Sequence, residues 1–258
     1  MAAALVGGML QQDVPTSDLH VVDVSAQARA RFSKMGIATH EQWQGQVDAS
    51  AIVFAVKPQQ LKTVVLSLQP HIQSTLLISI AAGIRSSDIA RWLDHHSRII
   101  RVMPNTPALI GAGISGMFAT AGVEERDRKI AERILGAAGK FVWFEREEQL
   151  DAVTAVSGSG PAYVFYFIEA LEEAALALDL DAAAARSLAL ETFLGAARLA
   201  SESTDSPAVL RAKVTSKGGT TQRALECMES TDVKSQVMEA VKQAAQRARE
   251  LGEEFGND

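Results

Sequence analysis

The sequence has little cysteine, few aromatic residues and no long hydrophobic run. Its one cysteine among 258 residues, Cys227, excludes an internal disulfide and any multi-cysteine zinc or iron–sulfur site, and no metal site is expected. No uninterrupted apolar run approaches the roughly 20 residues that span a bilayer. Aromatics are 5% against 47% for all apolar residues, so the core must be built from Ala, Leu, Val and Ile. The first residues lack the basic region of a secretory signal, and a soluble, cytoplasmic protein is expected.

Positive charge is also scarce. The 25 Lys and Arg are outnumbered by 31 Asp and Glu, for a net charge of −6. This balance argues against a nucleic-acid partner, which would require a basic surface. All five histidines fall in the first 100 residues, and no lysine occurs between Lys140 and Lys213.

Residues 1–146 alternate between short β-rich runs and amphipathic stretches. The predicted strands are Leu19–Val24, Ala51–Val56, Leu76–Ala81, Arg98–Met103, Ile114–Ala119 and Lys140–Phe144. The predicted helices are Ala26–Met35, Pro58–Leu68, Arg85–Leu93 and Val123–Ala138. Nearly continuous apolar strands alternating with helices indicate a doubly wound α/β domain with a parallel sheet. The chain begins at once in a helix-like sequence, with no strand ahead of it.

Residues 147–258 carry only helical patterns and are predicted to form a second, all-helical domain. The predicted helices are Tyr163–Leu178, Asp181–Ala200, one starting at Asp205-Ser206-Pro207, and Asp232–Leu251. Alanine-rich faces, such as 182–185, allow close helix packing, either within the chain or between subunits.

Three predicted strands end in segments suited to ligand binding: Ala55-Val56-Lys57-Pro58, Ile80-Ala81-Ala82-Gly83, and Arg101–Ala108 with its Asn105 and Thr106. Ligands bind α/β sheets at the carboxyl ends of the strands, where helix N-termini present free N–H groups. Each segment alone is also compatible with an ordinary turn. Their succession at three strand ends favours a binding cleft.

Two glycine-rich segments lie in the helical half. Ser157-Gly158-Ser159-Gly160 precedes an apolar helix, which fits a sharp turn against a ligand or a flexible linker. Thr215-Ser216-Lys217-Gly218-Gly219-Thr220-Thr221 suits a backbone nest for a carboxylate, or else a capped helix start. The helix after residue 160 carries Tyr163, Tyr166 and Glu169 where a hydroxy-acid dehydrogenase needs a Lys or His base. This favours reduction of a substrate that is already electrophilic, such as a protonated cyclic imine.

These motifs, together with Arg-Val-Met-Pro-Asn-Thr-Pro-Ala and Ser-Gly-Ser-Gly-Pro-Ala-Tyr, occur in an order that resembles the pyrroline-5-carboxylate reductase family along essentially the whole chain. The resemblance implies a doubly wound (Rossmann-like) domain followed by an all-α dimerisation domain. It implies NAD(P)H-dependent reduction of 1-pyrroline-5-carboxylate to L-proline, the last step of proline biosynthesis. It also implies a homodimer, often assembled into a pentamer of dimers, with no membrane or nucleic-acid partner.

The resemblance also implies roles for individual residues. Ala55, Val56, Lys57 and Pro58 would line the cofactor, with Ala81, Ala82 and Gly83 near its nicotinamide end. The substrate carboxylate would be held by Ser216, Gly218, Gly219, Thr220 and Thr221, and the Thr221 hydroxyl would hydrogen-bond the reacting imine region. Lys217 stands where many relatives have proline.

The sequence departs from the family pattern at its start. The family begins with a strand and a Gly-x-Gly-Asn-Met-Ala loop, of which Met1-Ala2 match only the last two residues. The first strand and both phosphate-binding glycines are therefore expected to be missing, and cofactor binding to be weak.

Cofactor choice is open on sequence grounds. Asp23 ends the second strand of the family pattern, where a carboxylate favours NAD over NADP, whereas Arg29 and Arg31 nearby favour NADP. NADP is the expected cofactor, with NAD possible. A hydroxy-acid dehydrogenase of similar architecture and a truncated, non-catalytic relative remain the alternatives.

Overall fold

A computed structural model describes residues 1–257 of the chain. Contacts between residues divide it into two compact units, each described here by itself. The first unit contains residues 1–159 and the chain from residue 244 onward, and the second contains residues 160–243. The domain boundary predicted at 146/147 stays a prediction.

The strands lie in the first unit and form two sheets. Their bounds are β1 His20–Val22, β2 Ala38–His40, β3 Ala51–Phe54, β4 Leu76–Ser79, β5 Ile99–Met103, β6 Gly113–Ala119 and β7 Gly139–Phe144. β1 pairs with β2 in a two-stranded sheet, and the other five follow one another in the order β3-β4-β5-β6-β7. All pairs are parallel except β5 and β6, which are antiparallel with Ile100 opposite Ala119. The doubly wound, mostly parallel fold is confirmed, with one antiparallel pair that the sequence pattern did not predict.

Helices alternate with these strands along the chain. Their bounds are α1 Ala2–Gln11, α2 Ala26–Ser33, α3 Pro58–Leu68, α4 Ser86–Trp92, α5 Glu125–Gly136 and α6 Gln149–Val153. Pro58 occupies the first helical position of α3, where its missing N–H costs nothing. Arg85 is the N-cap residue of α4, and the Asp88 carboxylate accepts the Arg85 N–H at 3.3 Å.

From residue 145 to residue 257 the structure contains no strand, in agreement with the prediction of a helical second half. The helices that follow α6 are α7 Gly160–Ala177, α8 Ala182–Glu202, α9 Pro207–Lys213, α10 Thr220–Ser230 and α11 Val233–Asn257. α7 packs against α8. α11 starts in the second unit and ends in the first. Within residues 1–257, no helix is long and apolar enough to cross a membrane.

The core of the first unit lies on the central strands. Leu76, Leu77 and Ile78 of β4 are completely buried, as expected for a parallel strand covered on both faces. Burial of one such side chain stabilises the fold by about 1.5–3 kcal/mol. α1 contributes to two separate clusters, because Leu5 packs with Ile78 whereas Val6 packs with Phe32 beside the two-stranded sheet.

The two sheets are not hydrogen-bonded to each other. β1 pairs only with β2, and β3 pairs only with β4. Within residues 1–257 the first element is α1, and no strand joins β1 to β3.

Candidate active site

The end of β3 leads directly into α3. Ala55 and Val56 are half-buried, Lys57 is exposed, and Lys57 is the N-cap residue of α3. No side chain caps this helix. The α3 N-terminus therefore keeps its positive dipole end free of a competing side chain, which fits a phosphate or ribose oxygen.

The end of β4 is built from small residues. Ala81 and Gly83 are buried and Ala82 is half-buried. Gly83 has φ +81°, a left-handed conformation that favours glycine. Small side chains let a flat ring approach the backbone closely, so this segment fits the nicotinamide half of a dinucleotide.

The end of β5 is fixed by its own hydrogen bond. The Asn105 Oδ1 accepts the Ile114 N–H at 2.9 Å, tying the loop after β5 to the start of β6. Thr106 is exposed and starts a 3₁₀ turn that ends at Ile110. Asn105 therefore shapes the loop, and its oxygen is already engaged.

The sheet brings these three segments to one edge. β3, β4 and β5 are adjacent and parallel, so their carboxyl ends lie side by side. Met1, the N-cap residue of α1, packs against the same apolar cluster as Ile80 at the end of β4. No side chain caps α1 either. The predicted cofactor residues of β3, β4 and α1 are thus gathered in the first unit.

Asp23, which follows β1, lies in a small polar cluster. Its Oδ1 accepts the Ser25 N–H at 2.8 Å, and its backbone carbonyl accepts a hydrogen bond from Arg29 Nη1 at 2.7 Å. Arg29 also pairs with Glu41 at 3.1 Å. The guanidinium is therefore held beside Asp23.

Ser157-Gly158-Ser159-Gly160 is ordered and is not a flexible linker. Thr154–Gly158 forms a π-helical turn between α6 and α7, and the Ser157 hydroxyl donates to the Val153 carbonyl at 3.0 Å. A side chain at Gly158 would meet Met103 of β5, since a Cβ there would lie 2.5 Å from the Met103 Cε. π-Helical turns are frequent at functional sites.

The Thr215–Thr221 segment lies in the second unit and opens α10. Gly218 has φ +71°, Gly219 is the N-cap residue, and no side chain caps the helix. The Gly219 N–H donates to the Ser216 carbonyl at 3.1 Å. Thr221 is half-buried in the first turn. Since the capped helix start is not observed, the first-turn N–H groups of α10 can serve a carboxylate.

Gln222 belongs to this site but was missed by sequence reasoning. Its Oε1 accepts the Gly218 N–H at 2.7 Å, so one N–H of the predicted nest already has a partner. The sequence feature that could have revealed this contact is a glutamine one turn after the paired glycines.

Comparison with known proteins identifies the family. Residues 147–251 match the family described as pyrroline-5-carboxylate reductase dimerisation. A pyrroline-5-carboxylate reductase from Pseudomonas aeruginosa is 40% identical over 259 aligned positions, covering 99% of this chain and 95% of the relative. The chain belongs to the pyrroline-5-carboxylate reductase family.

Solved structures of family members agree with this assignment. The Coxiella burnetii pyrroline-5-carboxylate reductase superposes with a TM-score of 0.92 at 38% identity, covering 97% of this chain and 94% of that one. A Plasmodium falciparum pyrroline carboxylate reductase, solved with NADP bound, has a TM-score of 0.84 at 28% identity, with the same coverage of both chains.

A buried polar network beside the β4 end was not predicted from the sequence of this reductase. Glu147 accepts hydrogen bonds from the Ser86 N–H at 2.7 Å, the Ser86 hydroxyl at 2.6 Å and Arg101 Nη1 at 3.0 Å. Burial lowers the pKa of Arg101, although the Glu147 carboxylate opposes this effect. Arg85 pairs with Asp151 at 2.7 Å. Residues 85 and 86 are therefore fixed by the segment that precedes α7.

No metal centre accompanies these sites in residues 1–257, where no cluster of three or more His, Cys, Asp or Glu side chains could hold an ion.

Proposed function

We propose that this chain reduces 1-pyrroline-5-carboxylate to L-proline with NADPH as the hydride donor. The supporting observation is the 40% identity to a pyrroline-5-carboxylate reductase over 99% of this chain. The cofactor and substrate motifs are both present as ordered segments. In this reaction a hydride adds to the imine carbon, and the protonated ring nitrogen becomes the amine of proline. NADPH is preferred because the P. falciparum relative was solved with NADP.

The cofactor site is assigned to residues of the first unit. Ala55, Val56, Lys57 and Pro58 hold the dinucleotide at the uncapped α3 N-terminus, and Met1 and Ala2 approach its phosphates at the α1 N-terminus. Ala81, Ala82 and Gly83 face the nicotinamide end, because only small side chains leave room for a ring. When bound, the cofactor supplies the hydride.

The substrate site is assigned to the start of α10. Free N–H groups of the first turn and the hydroxyls of Ser216 and Thr220 bind the carboxylate, and Gly218 and Gly219 allow it to approach the backbone. The Thr221 hydroxyl hydrogen-bonds the imine region. No lysine base is required, because the protonated imine is electrophilic before it binds.

We propose that this chain acts as a cytoplasmic homodimer and that such dimers assemble further into a pentamer of dimers. The dimerisation family match supports the dimer. Large apolar side chains of α7 and α8 are also exposed, with Phe165 63% and Leu194 63% accessible. Apolar patches of this kind mark interfaces between subunits.

Replacement of Thr221 tests the proposed site. With 1-pyrroline-5-carboxylate and saturating NADPH, Thr221→Ala is expected to lower kcat about 100-fold, as for removal of one preorganised hydrogen-bond donor. Thr221→Ser keeps the hydroxyl and is expected to stay within about threefold of the wild type. An unchanged rate in Thr221→Ala would remove Thr221 from the mechanism.

The same assay separates the alternatives. A hydroxy-acid dehydrogenase would oxidise 2-hydroxy acids with NADP⁺ and leave 1-pyrroline-5-carboxylate unreduced. A non-catalytic relative would do neither, although it would still form the dimer in analytical ultracentrifugation.

A further inference from the structure

The end of α11 lies against the turn that follows β4. A Cβ placed on Gly83 would be 3.1 Å from Cδ2 of Phe255 and 3.4 Å from Leu251. Phe255 is half-buried and packs against the apolar cluster that contains Ala81 and Ile84. The side of the turn on which Gly83 lacks a side chain therefore faces α11.

Two glycines of α11 allow the helix to come this close. A Cβ on Gly252 would lie 3.0 Å from the Gly83 carbonyl oxygen, and one on Gly256 would lie 2.9 Å from the Asp88 carboxylate. The Gly256 carbonyl also accepts a hydrogen bond from Arg91 Nη2 at 2.6 Å. Glycine lowers helix stability by about 1 kcal/mol relative to alanine. The close contact that Gly252 and Gly256 allow offsets this loss.

The two ends of the turn are anchored by other means. β4 is held in the sheet up to Ser79, and Ser86 is fixed by the Glu147 carboxylate. Gly83 lies between these anchors, and its backbone has the wide conformational freedom of glycine. Contact with α11 is an external restraint on this central part of the turn.

We propose that the C-terminal end of α11 positions the Ala81–Gly83 turn for the nicotinamide half of the cofactor, with Gly252 and Phe255 as positioning residues. This inference rests on the proposed function, because it takes the turn to be the nicotinamide-side segment. A shift of the turn alters the placement of the ring and leaves the adenine half of the site, at Asp23 and Arg29, unchanged.

Binding of two ligands to the whole chain tests the proposal. NADPH reports on both halves of the cofactor site, whereas adenosine 2′,5′-bisphosphate reports on the adenine half alone. Gly252→Ala, which presses a methyl group on the Gly83 carbonyl, is expected to raise the Kd of NADPH about tenfold, or about 1.4 kcal/mol. The Kd of adenosine 2′,5′-bisphosphate should stay within about twofold of the wild type.

Neighbouring substitutions provide the controls. Glu253→Ala changes the next, exposed residue of the same helix and should leave both Kd values unchanged. Phe255→Ala should weaken NADPH binding as Gly252→Ala does, and Phe255→Leu should restore most of it by refilling the space. If Gly252→Ala does not fold, the comparison of Phe255→Ala with Phe255→Leu tests the proposal in its place.

The possible outcomes are distinct. Unchanged NADPH binding in the folded Gly252→Ala and Phe255→Ala variants overturns the positioning role, and so does equal weakening of both ligands. A wild type that binds NADPH but does not reduce 1-pyrroline-5-carboxylate contradicts the proposed function, while the binding comparison still tests the contact between α11 and the turn.

Discussion

Arg98 and Asp127 form a two-pronged ion pair: Nη2 lies 2.6 Å from Oδ1, and Nε lies 3.1 Å from Oδ2. The Asp127 side chain is fully buried, whereas Arg98 is about one-fifth exposed. The pair links the start of β5 to the first turn of α5. The hydrogen bonds from Arg98 hold the pKa of Asp127 below its usual value.

The pair predicts a pH-dependent loss of stability. A carboxylate with a lowered pKa stabilises the fold above its unfolded pKa, near 4, and loses this effect as the pH falls through its folded value. Asp127→Asn is therefore expected to lower the free energy of unfolding by about 3 kcal/mol at pH 7. The difference from the wild type should shrink below about pH 4. Urea unfolding at a series of pH values measures it, with exposed Glu125→Gln as the control. If the difference in unfolding free energy between Asp127→Asn and the wild type did not depend on pH, the stabilising role of the Asp127 charge would be contradicted.

Cofactor choice is predicted to depend on Asp23. Asn in its place keeps the acceptor for the Ser25 N–H but removes the charge that repels a 2′-phosphate. Asp23→Asn should raise the ratio of kcat/KM with NADPH to that with NADH about tenfold. Arg29→Ala should lower the same ratio, because it removes the cation beside this position. Steady-state kinetics with both cofactors measures the ratio, and a shift of either variant in the other direction would refute the prediction.

Lys217 is predicted to assist substrate binding by its charge. It is exposed and lies beside Gly218 in the proposed carboxylate loop. Lys217→Gln should raise KM for 1-pyrroline-5-carboxylate about threefold at low salt, and the effect should fade toward 1 M salt as screening increases. kcat should not change. Exposed Lys234→Gln is the matched control for a loss of positive charge outside the loop.

Much of the first unit could be predicted because its central strands, β4 and β5, are buried on both faces. Pro58–Leu68 was predicted with its observed bounds, since proline marks the start of the helix. β2 was missed because Ala38–His40 is short and contains only one β-branched residue. The direction of β6 was not predictable, because an apolar run reads the same in parallel and antiparallel sheets.

The site could be predicted in part for the same reason. Strand ends are visible in a sequence, and so are paired glycines before a helix. The contact of Gly83 with Phe255 was not visible, because nothing local joins residues so far apart. The hydrogen bond from the Ser86 hydroxyl to Glu147 was not visible either, because the two residues are far apart in the sequence.

The gap between the two sheets has a consequence for local opening. A two-stranded sheet is marginally stable by itself, and the β1–β2 sheet relies on Phe32 and Ile37 packing beneath α1. Amide hydrogens of β1 and β2 should therefore exchange with solvent sooner than those of β4 and β5, as a cooperative unit of low stability. Asp23 and Arg29 lie in this same region of low stability. Binding of a ligand to the adenine half of the site should therefore slow amide exchange in β1 and β2 more than in the central strands.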